Sequence, residues 1–153
     1  MLNYLKVFVI SMIPLIELRG AIPYSQYLRL EVLPAYLVAI IGNMIPVPFI
    51  YFFARIILEW GKNKPYLGGF FRFCLEKGEH AGEKLKAKAG SGLFWALLLF
   101  VGIPLPGTGA WTGTLAASLL HMEAKKAILA VMLGVFLAGI IMMGASFFGF
   151  RLI

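Results

Sequence analysis

Four long apolar stretches constrain the fold of this chain more than any other feature of its sequence. They lie at roughly 1–30, 33–58, 92–121 and 127–150. A helix needs about 20 mostly apolar residues to cross about 30 Å of hydrocarbon, and the second and fourth stretches are long enough. The chain is 61% hydrophobic and 14% charged, whereas soluble domains are about 45–50% apolar and about 25% charged. We therefore predict an all-α integral membrane protein with a single membrane domain, 1–153, and exclude a soluble or disordered chain.

The first and third stretches are each interrupted by a motif that disfavours helix. The sequence Glu-Leu-Arg-Gly-Ala-Ile-Pro occupies 17–23, and Gly-Ile-Pro-Leu-Pro-Gly-Thr-Gly-Ala occupies 102–110. Proline removes a backbone donor and disfavours helix just before itself, and glycine permits non-helical backbone. At about 1.5 Å per residue, the remaining legs are too short to cross the bilayer. We expect two re-entrant helical hairpins, 1–30 and 92–121, with irregular tips near mid-membrane.

Each hairpin is followed by one uninterrupted apolar stretch, so the chain reads as two copies of one unit. The first repeat is 1–60 and the second is 92–150, and Ile13-Pro14-Leu15 matches Ile103-Pro104-Leu105. With the connecting segment between them, the two halves enter the membrane from opposite faces. This order predicts an inverted-topology repeat, a plan on which many transporters build a midplane site.

The connecting segment 61–91 is strongly basic, with seven lysine and arginine residues. The positive-inside rule predicts that it is cytoplasmic in a multi-pass protein of the cell membrane, where it can also bind anionic lipid headgroups. No nucleic-acid recognition motif accompanies the charge, so we expect no nucleic-acid partner. An amphipathic helix is indicated by the apolar spacing of Tyr66, Leu67, Phe70, Phe71, Cys74 and Leu75. This helix either lies on the cytoplasmic leaflet or covers the hairpin tips.

Glu17 and Arg19 are the most informative polar residues, because each costs about 2.5–3.5 kcal/mol at mid-membrane on insertion scales. One reading is structural: the two side chains pair with each other or extend to the interface. The functional reading assigns proton coupling to Glu17. It assigns to Arg19 a planar fork of donors that suits phosphate or carboxylate. We favour the functional reading.

The second tip carries no formal charge but offers freed backbone groups and threonine hydroxyls. A helix beginning near Trp111 would present about half a positive charge to an anion at its N-terminus. The alternative is that the glycines only allow the two hairpins to pack closely. The predicted substrate-binding residues of both tips and the helix between them are Glu17, Arg19, Gly20, Pro23, Asn43, Pro104, Pro106, Gly107, Thr108, Gly109, Trp111 and Thr112.

The sequence gives little support for enzymatic chemistry. It has no aspartate and one cysteine, and no convincing set of metal ligands. It also lacks a recognisable arrangement of serine, histidine and acid for nucleophilic catalysis. We therefore predict a protein that is not an enzyme and that needs no metal or cofactor.

The two interrupted motifs resemble the signature segments of a known family. Glu17-Leu-Arg-Gly-Ala-Ile-Pro23 and Gly102-Ile-Pro-Leu-Pro-Gly-Thr-Gly-Ala-Trp111 are similar to those of the small multidrug export family, which is grouped with the DedA/VTT superfamily. The resemblance covers almost the whole chain and implies two re-entrant hairpins, each followed by a membrane helix. It places Glu17 at the acid of the first hairpin and Arg19 at the arginine beside it. The arginines that DedA members carry around the second hairpin are absent from this tip.

The resemblance implies transport. Superfamily members are implicated in moving lipid phosphates across bilayers or in scrambling lipids, and a proton-motive role is proposed for them. We therefore predict a proton-coupled transporter or lipid flippase that moves an anionic lipid or small amphipathic substrate between the hairpin tips. Its expected partners are membrane lipids, protons, that substrate and further copies of the chain in a homo-oligomer. Two alternatives stay open: a non-transporting scaffold that shapes the bilayer, and a small multidrug exporter.

Overall fold

A computed structural model describes most of the chain, and its described part is helical, with no β-strands. The described residues are 1–14, 16–65, 68–69, 72, 76, 92–105 and 107–151. The predicted amphipathic helix of the connecting segment, and Pro106, lie outside these residues. The helices are α1 (Leu2–Met12), α2 (Glu17–Tyr27), α3 (Val32–Met44), α4 (Pro46–Gly61), α5 (Gly92–Gly102), α6 (Ala110–Leu119) and α7 (Ala124–Arg151).

Two segments are long and apolar enough to cross a membrane, as predicted. They are Val32–Ala54 and Ala124–Phe148, with mean hydropathies of 2.0 and 2.6. The first helix of each half, α1 or α5, is apolar but only 11 residues long. At about 1.5 Å per residue such a helix is about 16 Å long, roughly half the hydrocarbon thickness. The short legs and long helices of the sequence prediction are therefore present.

The segment predicted as one helix at 33–58 forms one helical span over Val32–Ala54. Its hydrogen-bond ladder has a local interruption at Ile45, between α3 and α4, where the backbone stays helical. Pro46 has no N–H and cannot donate to the carbonyl of Gly42, so one bond of the helical ladder is missing there. Pro46 is the first residue of α4, a position that suits proline. The interruption separates two packing environments, since α3 packs against α1 and α2, whereas α4 packs mainly against α6.

The joint between the hairpin and the long helix has the same backbone structure in both halves. Arg29 and His121 are left-handed, with φ of 53° and 52°. At both joints this residue donates its N–H to the carbonyl three residues back, and the next residue donates to the carbonyl five residues back. This pattern is the Schellman motif that closes a helix. A glutamate, Glu31 or Glu123, then directly precedes the long helix in each half.

Corresponding helices of the two halves also make corresponding contacts. The first hairpin helix packs on the long helix of its own half, which pairs α1 with α3 and α5 with α7. The second hairpin helix reaches the other half, so α2 packs on α7 and α6 packs on α4. Gly134 permits the close approach of α7 to α5, because a β-carbon there would lie 2.7 Å from Cβ of Val101.

The long helices of the two halves run antiparallel. The Tyr36 hydroxyl on α3 donates to the Phe136 carbonyl at 3.0 Å, and the Tyr51 hydroxyl on α4 donates to the Met122 carbonyl. A later residue on α3–α4 therefore meets an earlier residue near or on α7. Both hydroxyls satisfy their hydrogen bonding at a helix interface, which is how polar groups connect membrane helices.

Candidate functional site

Glu17 connects the two hairpin tips. It is the first residue of α2 and is only 4% exposed. Its Oε2 accepts a hydrogen bond from the Ala110 N–H at 3.2 Å, and its Oε1 accepts one from the Trp111 N–H at 3.0 Å. These amides open α6 and have no partner within their own helix. The carboxylate therefore lies at the positive end of the α6 dipole.

Gly109 makes room for this contact. Its φ is 145°, and a β-carbon built at this position would overlap the Glu17 carboxylate. Both the backbone conformation and the close approach favour glycine. Any larger residue at 109 must displace Glu17 from the N-terminus of α6.

The backbone of Glu17 is itself unusual, with a φ of 50°. A left-handed conformation is uncommon for a residue with a side chain and costs on the order of 1–3 kcal/mol. The equivalent turn of the second tip is occupied by Gly107, with a φ of 83°, four residues after Ile103 as Glu17 is four residues after Ile13. The first tip thus has a glutamate where the second has a glycine. The side chain of this glutamate forms the hydrogen bonds to the first amides of α6.

Arg19 binds the second tip through its guanidinium group. Nη1 donates to the Leu105 carbonyl, and Nη2 donates to the Thr108 Oγ1 at 2.7 Å. The Thr108 hydroxyl lies 2.9 Å from the carbonyls of both Ile103 and Leu105, so it can donate to either of them. Arg19 therefore adds a charged donor to the Leu105 carbonyl, which also accepts the Thr108 N–H at 3.2 Å.

The structure does not support the reading in which Glu17 and Arg19 pair with each other. Within the described part of the chain, the two side chains form no salt bridge, although their charges lie close enough to attract each other. The carboxylate instead takes two backbone donors of the second tip, and the guanidinium takes acceptors of the same tip. Each charge therefore has partners across the hairpin interface.

A cavity of about 730 Å³ lies between the two tips and α4. This volume is in the range of small-molecule sites, about 300–1,000 Å³. Its polar end includes Glu17, Arg19 and two threonine hydroxyls. The predicted site residues that line it are Glu17, Arg19, Pro104, Gly107, Thr108, Trp111 and Thr112.

The wall on α4 is the part of the site that sequence reasoning missed. It consists of Phe49, Ile50, Phe53, Ala54, Ile57 and Leu58. Three of these, Phe49, Phe53 and Ile57, recur every four residues and so share one face of the helix. That spacing is visible in the sequence, but nothing local to α4 indicates that this face meets the second tip.

Four other predicted residues that the structure describes do not line the cavity. Gly109 instead lies against the Glu17 carboxylate. Gly20 packs locally, since a β-carbon there would lie 2.5 Å from Cγ2 of Ile16, and Pro23 lies within α2. Asn43 is 0% exposed, and neither end of its amide has a hydrogen-bond partner among the described residues. The sequence favoured an interhelical hydrogen bond for Asn43 over a bond to a hairpin tip, and neither is formed among the described residues.

The described residues contain no group of three or more His, Cys, Asp or Glu side chains that could hold a metal ion. Comparison with known proteins gives one finding. A family model described as "putative small multi-drug export protein" matches residues 17–141. Neither curated proteins nor solved structures gave a match. The matched range begins at Glu17 and includes both tips, α3, α4 and most of α7, so the chain belongs to the small multidrug export family.

Proposed function

We propose that this protein is a proton-coupled transporter that moves an amphipathic substrate through the cavity between its hairpin tips. The observation that carries this proposal is the cavity itself, a largely apolar chamber with Glu17 and Arg19 at its polar end. Ionisable residues inside a membrane protein characteristically mark substrate pathways and proton relays. The export function in the family description supports the same class of activity.

For the arrangement in the membrane, we propose two re-entrant hairpins, α1–α2 and α5–α6, in an inverted-topology repeat. The short first helices, the antiparallel long helices and the shared joints support this arrangement. The basic segment 61–91 would then lie on the cytoplasmic side of the cell membrane. The non-helical tips would lie where irregular backbone is tolerated, against protein and a cavity.

For the coupling step, we propose that Glu17 carries the proton. As a carboxylate it accepts both amide bonds from α6 and holds the tips together. Protonation neutralises the group and converts one of its oxygens into an O–H donor. The O–H group of a protonated Glu17 would face a backbone N–H that is also a donor, and the hydrogen bond between them would be lost. Protonation therefore weakens the contact between the tips. Substrate movement is thereby linked to proton movement.

For the substrate, we propose an anionic lipid or related amphiphile first. Arg19 has five N–H donors in a planar fork, so those not bonded to Leu105 and Thr108 can donate to phosphate or carboxylate oxygens. The α4 wall offers an apolar surface for the remainder of the molecule. A cationic drug is the second candidate, as a multidrug exporter would require. The aromatic rings of Phe49, Phe53 and Trp111 line the same cavity as the Glu17 carboxylate, and aromatic faces attract cations.

Reconstitution into liposomes tests the proposal. A pH gradient would be imposed, and movement of fluorescent phosphatidic acid and of tetraphenylphosphonium would be followed for the wild type, Glu17→Gln and Glu123→Gln. Glu123 is an exposed control outside the cavity, paired with Lys126 at 3.0 Å. We expect gradient-driven movement in the wild type and Glu123→Gln, and its loss in Glu17→Gln.

The other outcomes separate the alternatives. Movement of neither probe by the wild type would contradict transport and favour the scaffold. Movement that is independent of the gradient and unchanged in Glu17→Gln would indicate a scramblase in which Glu17 carries no proton.

A further inference from the structure

We infer that the cavity opens sideways into the bilayer along α4, and that its ligand is an amphiphile taken from the lipid phase rather than a solute taken from water. This inference rests on the proposed function and deepens it, because transport alone does not specify where the substrate comes from. It concerns the wall of the cavity, whereas the proposed coupling concerns its polar end.

The first observation is the exposure of the wall itself. Phe49, Phe53 and Ile57 all line the cavity, yet each is more than half exposed on the molecular surface. The cavity itself is open to the outside rather than enclosed. The exposure of these three side chains places its opening along this face of α4.

The second observation is the chemistry of the surface around the opening. Phe49 and Phe53 belong to the segment Val32–Ala54, which is apolar and long enough to span a membrane. Leu105, which lines the cavity from the second tip, is also more than half exposed. A contiguous exposed apolar surface of this kind is rare in contact with water. In a membrane it faces lipid, so acyl chains can reach the cavity without crossing polar surface.

The third observation is the separation of polar from apolar groups inside the cavity. Glu17 is deeply buried at the tip contact, whereas Phe49, Phe53 and Ile57 of the α4 wall are each more than half exposed. A ligand admitted along α4 would place its hydrogen-bonding head near Glu17 and Arg19 and leave its apolar body against Phe49, Phe53 and Ile57. The class of ligand is therefore a bilayer-soluble molecule with one polar head and one apolar body.

Trp111 provides a direct test, because it lines the cavity and the chain has only two other tryptophans, Trp60 and Trp95. Both would be replaced by phenylalanine, and the protein reconstituted in phosphatidylcholine vesicles. Fluorescence of Trp111 would be measured with phosphatidylcholine brominated at mid-chain and, separately, with aqueous iodide. We expect strong quenching by the brominated lipid and none by iodide. Quenching by iodide, or the absence of quenching by the brominated lipid, would overturn the inference.

Two neighbouring positions on α4 supply a matched pair that separates the cavity from the general lipid surface. Ile56 and Ile57 are 59% and 56% exposed, but only Ile57 lines the cavity. We expect Ile57→Phe to reduce the quenching of Trp111 by brominated lipid at least twofold, because the larger side chain fills the opening. Ile56→Phe should leave it unchanged. Equal effects in the two variants would show that lipid reaches Trp111 without passing this wall.

The measurement distinguishes this inference from the proposed transport. Quenching requires no substrate movement and no pH gradient. Lipid quenching without transport would leave the opening in place and refute the transporter. Transport together with iodide quenching would retain the transporter and refute the lateral opening.

Discussion

The two hairpin tips have related backbones, but they contribute different kinds of group to their contact: side chains from one and backbone groups from the other. In each tip, a residue with positive φ lies four positions after an isoleucine that is followed by proline. This residue is Glu17 in the first tip and Gly107 in the second. The first tip supplies two charged side chains. The second supplies backbone groups, with the N–H groups of Ala110 and Trp111 as donors and the Leu105 carbonyl as an acceptor.

This difference explains how a chain can keep both signs of charge within an apolar domain. A helix N-terminus is complementary to a carboxylate, and backbone carbonyls outside a helix are complementary to a guanidinium. The uncharged second tip is therefore not an inert copy of the first. It is a polar partner made from backbone, which requires glycine and proline rather than charged residues.

The largest expected effect concerns the topology that relates the two tips. If both hairpins are re-entrant, position 3 lies outside and position 124 lies on the cytoplasmic side with segment 61–91. Single cysteines introduced at these positions in a Cys74→Ser background should then label from outside at 3 and not at 124. Strong labelling at 124 with none at 3 would show that all four apolar stretches span, and the comparison of two re-entrant tips would fail.

The next largest effect is expected from a glycine substitution that tests the contact between Glu17 and α6. Gly109→Ala should displace Glu17 from α6, because its β-carbon would overlap the carboxylate. We expect transport to fall at least tenfold and stability to fall by about 2–4 kcal/mol, measured by unfolding in detergent, since a buried charge loses its partners. Gly107→Ala is the matched control for stability, because its φ is also positive at 83° but nothing lies within 4 Å of the added carbon. It should cost only about 1 kcal/mol of backbone strain. Equal loss in both variants would mean that strain, not the Glu17 contact, is responsible.

A smaller effect distinguishes the fork of Arg19 from its charge. Arg19→Lys keeps the positive charge but cannot bind Leu105 and Thr108 with the same planar geometry. We expect normal insertion and roughly tenfold weaker binding of phosphatidic acid, measured by titration in detergent, as expected for a lost charge-assisted hydrogen bond of about 1.5–3 kcal/mol. Arg29→Lys, at an exposed joint, is the control.

The double variant Glu17→Gln/Arg19→Gln sharpens the same question. It leaves neither charge buried, but it also removes the Arg19 bonds to the second tip and places an amide donor against one of the N–H groups whose hydrogen bonds Glu17 accepts. We therefore expect it to insert, to unfold more readily than the wild type and to be inactive. Full activity in the double variant would show that neither charge serves transport, and the scaffold interpretation would then be preferred.

The smallest effect compares two threonines of the second tip. Thr108 accepts a hydrogen bond from Arg19 at 2.7 Å, whereas the Thr112 hydroxyl lies 3.5 Å from the Gly109 carbonyl. Thr108→Val should lower the free energy of unfolding by about 1–2 kcal/mol, and Thr112→Val by less than about 0.5 kcal/mol, because only the first removes a partner of a charged group. A larger cost at Thr112 would mean that its hydroxyl has a function that the contacts between the tips do not explain.

Much of the fold was predictable because its determinants are local. The two spans follow from apolar length, and the ends of α1 and α5 follow from proline and glycine in the next few residues. The interruption at Ile45 was also within reach, since Pro46 and Pro48 were visible in the second stretch. The shared joints at Arg29 and His121 were not, because neither residue has a strong preference for the left-handed conformation it adopts.

By itself, the sequence determined that this is a helical membrane protein and that its polar chemistry is concentrated at two interrupted motifs. Only the tertiary structure decided what those motifs contact. The bonds from Ala110 to Glu17 and from Arg19 to Thr108 join residues separated by 93 and 89 positions. The wall on α4 likewise belongs to the cavity only because α6 packs against it. Local propensities depend on neighbouring residues, whereas partners at this distance are fixed by how the helices pack, which no short-range pattern records.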